Sequence, residues 1–236
     1  MENTRTKTTR NSLILLLTAA IWGMAFVSQS KGMDYMHPFT FNGVRSLIGA
    51  ASILVYILIS RKIAGDKAAP LDWKLNVKAG LLCGIFLTIA STLQQFGIKY
   101  TSVGKAGFIT TLYIIFVPMF GIFLKKKVAP VVWAAAVMAA VGMYLLCMTE
   151  SLRLGAGDIM VFLCAIAFAI QIMTVDHYAA RIDGAVVSCI QFTVCGVVCC
   201  IGALIWGQPT FGQLQEGLGA LLYAGVLSCG VGYTLQ

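Results

Sequence analysis

Eight runs of mostly apolar residues, each long enough to cross a lipid bilayer, follow one another along this sequence. A membrane-spanning helix needs about 20 such residues, because a helix rises slowly and must cross the whole hydrocarbon core. Only short segments separate the runs, which leaves no room for a soluble domain. We therefore predict an all-α polytopic membrane protein with eight spans at 12–30, 39–60, 77–97, 103–124, 131–148, 159–178, 185–206 and 218–236.

The composition excludes the main classes of water-soluble protein. Charged residues make up 11% of the 236 residues, against about 25% in soluble domains, and the mean hydropathy is +0.87. A net charge of +8 would suit a nucleic-acid partner, but the basic residues lie between apolar runs and form no face of their own. We therefore expect the lipid bilayer as a partner and no nucleic acid.

Lysine and arginine are distributed unequally between the two predicted sides of the membrane. With a cytoplasmic N-terminus, 12 of them lie inside, 4 lie outside and Arg45 lies within a span, as the positive-inside rule favours. We expect a multi-pass protein of a bacterial cell (plasma) membrane with this orientation. The inside set is Arg5, Lys7, Arg10, Arg61, Lys62, Lys67, Lys74, Lys78, Lys125, Lys126, Lys127 and Arg181; the outside set is Lys31, Lys99, Lys105 and Arg153.

The 8 cysteines and 2 histidines predict no cofactor and no metal centre. The cysteines lie inside or at the edges of apolar runs and form no CxxC pair, which is typical of small helix-packing residues. His37 and His177 fall in loops on opposite predicted sides, so they cannot share a metal ion.

The first and sixth spans resemble each other weakly, which indicates an internal repeat. An offset of 146 aligns Trp22 with Phe168 and Arg45 with Gln191, and the tripeptide Thr-Leu-Gln recurs at an offset of 142. A five-span unit has an odd number of crossings, so two copies must have opposite topology. Inverted repeats of this kind are typical of secondary transporters, whose substrate site lies between the copies at the membrane midplane.

The repeat divides the chain into residues 1–150, a five-helix unit, and residues 151–236, a second unit with three helices. A full second unit would need about 60 further residues for two more spans and their loops. We therefore expect the sequence to be a fragment or a truncated product. Two copies that complete each other in a homodimer are the alternative.

Four segments resemble the EamA proteins of the drug/metabolite transporter superfamily. They are AAIWGMAFV (19–27), FNGVRSL (41–47), the long stretch 92–124 with its proline-bearing fourth span, and the span 131–148. The resemblance implies ten spans in two inverted five-span repeats, of which the last two are absent here. The family often has a Gly-Glu pair after the fourth span, whereas this chain has three lysines at 125–127.

Arg45 is the most informative candidate for a functional residue. A charge at mid-membrane costs about 2.5–3.5 kcal/mol on insertion scales, so it needs a partner or a wet cavity. Asn42 lies about one turn before it on the same helix face. The functional interpretation is a fixed positive charge that attracts an anionic or zwitterionic substrate. The structural one is an arginine satisfied by backbone carbonyls and Asn42, or one that reaches toward the interface.

The other candidates are polar residues within apolar spans. Each could line a cavity or pack against a neighbouring helix, and the paired amides near the end of the third span could equally be interfacial. Proline inside the fourth span removes a backbone hydrogen bond, and the resulting kink could be a hinge or a static bend. The cavity-lining candidates are Trp22, Asn42, Arg45, Gln94, Gln95, Gln171 and Gln191; the hinge candidate is Pro118.

The leading hypothesis is a secondary transporter, an exporter or permease, of small polar metabolites such as amino acids that works by alternating access. No acidic residue lies in the middle of a span, so cationic drugs are poor substrates. A structural or regulatory membrane protein without transport activity is the alternative. An enzyme that modifies lipids is the least favoured, because it would need acids or histidines clustered at one interface.

Overall fold

The computed structural model describes residues 4–65, 71–123, 130–147 and 155–235. Within them every regular element is helical, which confirms the all-α prediction. Eleven of the described stretches are α-helical: α1 Thr4–Tyr35, α2 Pro38–Ala64, α3 Trp73–Tyr100, α4 Val103–Thr111, α5 Tyr113–Phe123, α6 Pro130–Cys147, α7 Ala156–Tyr178, α8 Gly184–Gly202, α9 Phe211–Glu216, α10 Leu218–Leu222 and α11 Tyr233–Leu235. A 3₁₀ turn, Ala179–Arg181, follows α7, and two π-helical segments, Ala203–Gly207 and Tyr223–Gly232, extend α8 and α10.

Seven helical segments among the described residues are long and apolar enough to cross a membrane. They cover 9–35, 38–64, 73–100, 103–123, 156–181, 184–207 and 218–235, and each coincides with a predicted span. The helix α6 lies where the sequence predicts the fifth span, but it is not one of the seven. The structure thus supports a bundle of seven candidate spans.

Polar side chains at the first turns position several of these helices. The side chains of Asp72, Ser102 and Asp183 accept hydrogen bonds from backbone N–H groups that the first turns of α3, α4 and α8 leave unpaired. Such caps lie at the ends of the apolar stretches, where the chain leaves the hydrophobic region. Local sequence therefore sets where these spans begin.

The predicted fourth span is interrupted, but not at its proline. Its two helices meet at Leu112, whose N–H donates to the carbonyl of Ile109. Pro118 lies six residues later, buried inside α5. Proline disturbs the turn that precedes it, since it has no N–H and its ring crowds the carbonyl four residues back. The interruption at Leu112 lies on the N-terminal side of Pro118, more than one helical turn before it.

Close helix contacts at glycines define how the bundle packs. The helices α2 and α8 run antiparallel, with Gly202 against Phe39 and Gly196 against Leu47. A Cβ atom built on Gly43 would lie 2.9 Å from the backbone nitrogen of Cys200. Small residues of this kind allow helix backbones to approach closely in membranes.

The helix α3 completes the centre of the bundle. It runs parallel to α8, with Gly80 against Ile190 and Gly84 against Val194, and antiparallel to α7, where a Cβ on Gly97 would meet Val161. The segment Tyr223–Gly232 packs on α2 and on α1. Only 11% of the apolar window of α1 is buried, against 50% for α3, so α1 lies at the periphery.

Candidate functional site

Arg45 lies in the first half of α2 and is buried, with 6% of its surface exposed. Its Nε donates a hydrogen bond of 3.0 Å to Oδ1 of Asn42, as expected for residues three positions apart on a helix. The guanidinium carbon lies 5.8 Å from the centre of the Phe41 ring. The predicted pairing of Arg45 with Asn42 is therefore present in the structure.

Apart from the Phe41 ring, the rest of the Arg45 guanidinium has no partner among the described residues. No described carboxylate lies within 4.0 Å of it, and neither terminal nitrogen has a described hydrogen-bond partner. The residue as a whole is only 6% exposed and carries its charge inside a span, where ionisable groups are rare. The two terminal nitrogens can form the planar fork that binds a carboxylate at two points.

Asn42 connects Arg45 to α3 and α8. Its Nδ2 donates to Oγ of Ser91 at 3.0 Å and to Sγ of Cys199 at 3.2 Å. The hydroxyl of Ser46 and the thiol of Cys195 lie 3.5 Å apart in the same cluster. This network fixes the Asn42 side chain so that its oxygen faces Arg45.

The two adjacent amides of α3 point to different neighbours. Gln94 donates to the hydroxyl of Thr110 on α4 at 3.3 Å, whereas Gln95 donates to the backbone carbonyl of Gln29 on α1 at 3.2 Å. Consecutive helix residues are about 100° apart around the axis, which accounts for the divergence. The Oε1 atoms of Gln29 and Gln95 are buried without a hydrogen-bond partner.

Gln171 and Gln191 lie together between α7 and α8. Nε2 of Gln171 donates to Oε1 of Gln191 at 2.9 Å, and both side chains are buried. No hydrogen bond links this pair to Arg45 among the described residues. The predicted site residues therefore form separate groups, one around Arg45 and one at the α7–α8 contact.

Trp22 joins α1 to the last span. Its Nε1 donates to the carbonyl of Ser228 at 3.3 Å, and its ring centre lies 5.5 Å from that of Tyr233. Tyr233 in turn packs edge-on against Phe192 of α8, with ring centres 4.7 Å apart. The structure thus places Trp22 at a helix contact, half-buried rather than fully exposed to lipid.

A cavity of about 310 Å³ lies between the C-terminal end of α2, the N-terminal end of α8 and α11. Arg61 and Asp183 line it and form an ion pair at 3.5 Å. The backbone N–H of Asp183 donates to Asn76 of α3 at 2.8 Å, so three helix ends are linked there. Tyr233 lines the same cavity and also contacts the Trp22 ring, so the cavity adjoins the contact between α1 and the last span.

His37 lies between α1 and α2 at the opposite end of α2. Partial burial lowers the pKa of its imidazole, and the positive charge of Lys99 lowers it further. Its Nδ1 accepts from the N–H of Phe39 at 3.4 Å, which caps α2 and requires the neutral ring. Among the described residues, no group of three or more histidine, cysteine or acidic side chains could hold a metal ion.

Sequence reasoning missed the thiols around Asn42 and the unpaired oxygen of Gln29. Cys195 and Cys199 are four residues apart, so they share a helix face, and that spacing could have grouped them. Nothing in the sequence places that face against Asn42. The three lysines at 125–127, which stand where the resembled family often has a Gly-Glu pair, lie outside the described residues.

Comparison with known proteins gives the family. Residues 10–148 match the EamA-like transporter family. An uncharacterized transporter of Archaeoglobus fulgidus is 31% identical over 70% of this chain and 48% of its own length. Uncharacterized transporters of Clostridium kluyveri and Bacillus subtilis (the latter YwfM) are 25% and 26% identical over 94% and 95% of this chain, which corresponds to 74% of each relative.

A solved crystal structure of another protein shares the fold. It aligns with 96% of this chain and 77% of its own, with a TM-score of 0.70 at 17% identity. The chain spans about half the length of the archaeal relative. It is a helical membrane protein, and the matched residues establish that it belongs to the EamA-like transporter family. That family consists of transporters rather than enzymes, and the resemblance found in the sequence is confirmed.

Proposed function

We propose that this protein is a secondary transporter of small polar metabolites, such as amino acids, that works by alternating access. The observation that carries the proposal is Arg45, buried in α2 with its two terminal nitrogens unpaired among the described residues. Ionisable groups inside membrane spans are rare and mark substrate pathways. A fixed guanidinium of this kind favours an anionic or zwitterionic substrate.

The proposed architecture is two inverted repeats, residues 1–150 and 151–236, with eight spans in all, and two pairs of helix contacts support the repeat. The antiparallel α1 contact with the last span has a counterpart in the α7 contact with α3. The parallel packing of the last span on α2 likewise has a counterpart in α3 on α8. Exchange of the two units therefore maps each of these contacts onto its counterpart, as expected for a two-fold axis in the membrane plane.

The proposed setting is a bacterial plasma membrane, with the N-terminus in the cytoplasm. The unequal distribution of basic residues supports this orientation. In this orientation the cavity beside Arg61 and Asp183 faces the cytoplasm. Pro118 and the interruption at Leu112 are the proposed hinge of the fourth span. A homodimer is a further hypothesis, which the mass of the purified protein in detergent tests.

Reconstitution into liposomes tests the proposal. Purified protein is inserted into vesicles, and uptake of a panel of labelled amino acids is followed with and without a pH or sodium gradient. We expect gradient-dependent uptake of at least one amino acid, and no uptake by vesicles that contain Arg45→Ala protein with the same melting temperature. Absence of uptake by the wild type across the panel would instead favour the non-transporting alternative.

A further inference from the structure

Two buried amide oxygens, on α1 and α3, have no hydrogen-bond partner. Gln95 is fully buried and Gln29 is 4% exposed, yet Oε1 of each side chain is unpaired. Within a membrane protein such a group cannot be satisfied by lipid, so leaving it unpaired is destabilising. Two unpaired oxygens on neighbouring helices therefore indicate a ligand that donates hydrogen bonds.

Helix geometry directs these oxygens and the Arg45 guanidinium toward one layer of the bundle. Gln29 and Gln95 lie near the C-terminal ends of α1 and α3, whereas Arg45 lies near the N-terminal end of α2. Helical side chains lean toward the N-terminus of their own helix. The side chains of Gln29 and Gln95 therefore lean from this end of the bundle toward its interior. The side chain of Arg45, which is bonded to Asn42, leans from the interior toward the same end.

The connections between the helices keep the groups close. Ser91, one turn before Gln95, is bonded to Asn42, the residue that holds Arg45. One turn of α3 corresponds to a rise of about 6 Å. Gln95 is also bonded to the backbone of Gln29. The two acceptors and the forked donor thus lie on three neighbouring helices that these hydrogen bonds join.

We infer that Gln29 and Gln95 form a specificity-determining subsite that binds the ammonium or N–H group of a zwitterionic substrate whose carboxylate binds Arg45. The inference rests on the proposed function and assigns to these two residues the recognition of the substrate's positive end. An amide oxygen accepts hydrogen bonds from an ammonium group without neutralising its charge. The subsite therefore discriminates against molecules that have the carboxylate alone.

A comparison of two matched glutamines tests the unpaired state without any ligand. Gln29 and Gln171 are both 4% exposed, but the amide of Gln171 is bonded to Gln191. In ligand-free protein we expect Gln29→Met to raise the melting temperature by about 2–4 °C and Gln171→Met to lower it by a similar amount. A loss of stability in Gln29→Met as large as that in Gln171→Met would reveal a permanent partner, such as bound water, and would overturn the inference.

Selectivity provides the second test. Uptake of L-alanine, L-leucine and L-phenylalanine is compared with uptake of the acids that lack the amino group, namely propionate, 4-methylpentanoate and 3-phenylpropionate. We expect wild type to prefer an amino acid over its des-amino acid by about tenfold or more, which is the effect of one lost charged hydrogen bond. The double variant Gln29→Met, Gln95→Met should reduce that preference to about onefold, while Gln215→Met, an exposed amide in α9, should retain it.

The outcomes separate this inference from the proposed function. Wild type that transports the amino acids, together with a double variant that retains the full preference, overturns the subsite and leaves the transporter intact. Wild type that takes up neither set of compounds overturns the transporter and the subsite together. Reduced preference in the double variant with retained uptake of the des-amino acid supports both.

Discussion

Arg45 is bonded to the protein through Nε alone, which makes the role of its two terminal nitrogens testable. We expect Arg45→Ala to abolish uptake while the folded protein persists in the membrane. Arg45→Lys should restore uptake only partly, because an ammonium group cannot form a planar fork with a carboxylate. Uptake in liposomes and the melting temperature in detergent are measured together. Loss of expression or an early melt in Arg45→Ala would assign the residue a structural role instead.

At the residue scale, sequence predicts contacts within a helix but not contacts between helices. The spacing of Asn42 and Arg45 was enough to predict their pairing, because helix geometry alone brings them together. The bond between Gln171 and Gln191 depends on how α7 packs against α8, which neither span encodes by itself. The unpaired oxygen of Gln29 is a property of its surroundings, so no sequence pattern could reveal it.

The start of α2 should be sensitive to pH through His37. The pKa of this side chain lies below its usual value of 6.5, because partial burial and then Lys99 disfavour the imidazolium ion. The unfolded chain therefore binds a proton at higher pH than the folded one. The contribution to stability is present above about pH 6.5 and is lost as the pH falls through the lower folded pKa.

We therefore expect the melting temperature to fall as the pH is lowered from about 7.5 to about 5.5. In His37→Asn the fall should be smaller, since asparagine can cap the helix but does not titrate. His177→Asn is the matched control, because it removes the chain's other histidine from a different element. An equal pH response in wild type and His37→Asn would show that other groups dominate.

The packing of α2 on α8 should depend on Gly43. A Cβ atom there would lie 2.8 Å from Sγ and 2.9 Å from the backbone nitrogen of Cys200, so the two helices would have to separate. We expect Gly43→Ala to destabilise the protein by about 1–3 kcal/mol. At Gly107 of α4 a Cβ would meet nothing within 4 Å, so Gly107→Ala should stabilise by about 0.5–1 kcal/mol. Thermal unfolding in detergent measures both, and equal effects would contradict the close approach.

At the scale of whole elements, the apolar runs predicted the spans well. Hydrophobic length is a strong signal, because the bilayer imposes it on each helix separately. The interruption of the fourth span at Leu112 was not predicted. A proline indicates that a helix is disturbed nearby, but it does not determine at which residue the helix is interrupted. The π-helical segment Tyr223–Gly232 was not predicted either, because its wide turns depend on packing against α2 and α1.

At the scale of the whole molecule, the distribution of basic residues predicts the orientation. Single cysteines are introduced at positions 35 and 126 after the native thiols have been blocked or replaced. Because position 126 lies in a lysine-rich predicted inside loop, we expect an impermeant maleimide applied to intact cells to label position 35 and not position 126. Lysed cells provide the control in which both are labelled. Labelling of position 126 from outside would reverse the topology.

The arrangement of helices in the bundle was only partly accessible from the sequence. The offset between Arg45 and Gln191 predicted related positions in two units, and it placed α2 and α8 in equivalent roles. It did not predict that these two helices pack directly on each other. Such contacts depend on where small residues such as Gly43 and Gly196 face, which the periodicity of a uniformly apolar helix does not reveal.

The contact between Trp22 and Ser228 has a consequence for how the protein is made. These residues are 206 positions apart, and the segment that contains Ser228 is the last of the described spans. At about 5–20 residues per second, the ribosome needs on the order of 10–40 s to cover that distance. During this interval α1 is already in the membrane without one of its main neighbours. The packing of α1 on the last span is therefore completed only after α1 has been inserted, and a ribosome stalled before residue 218 would leave α1 without that neighbour.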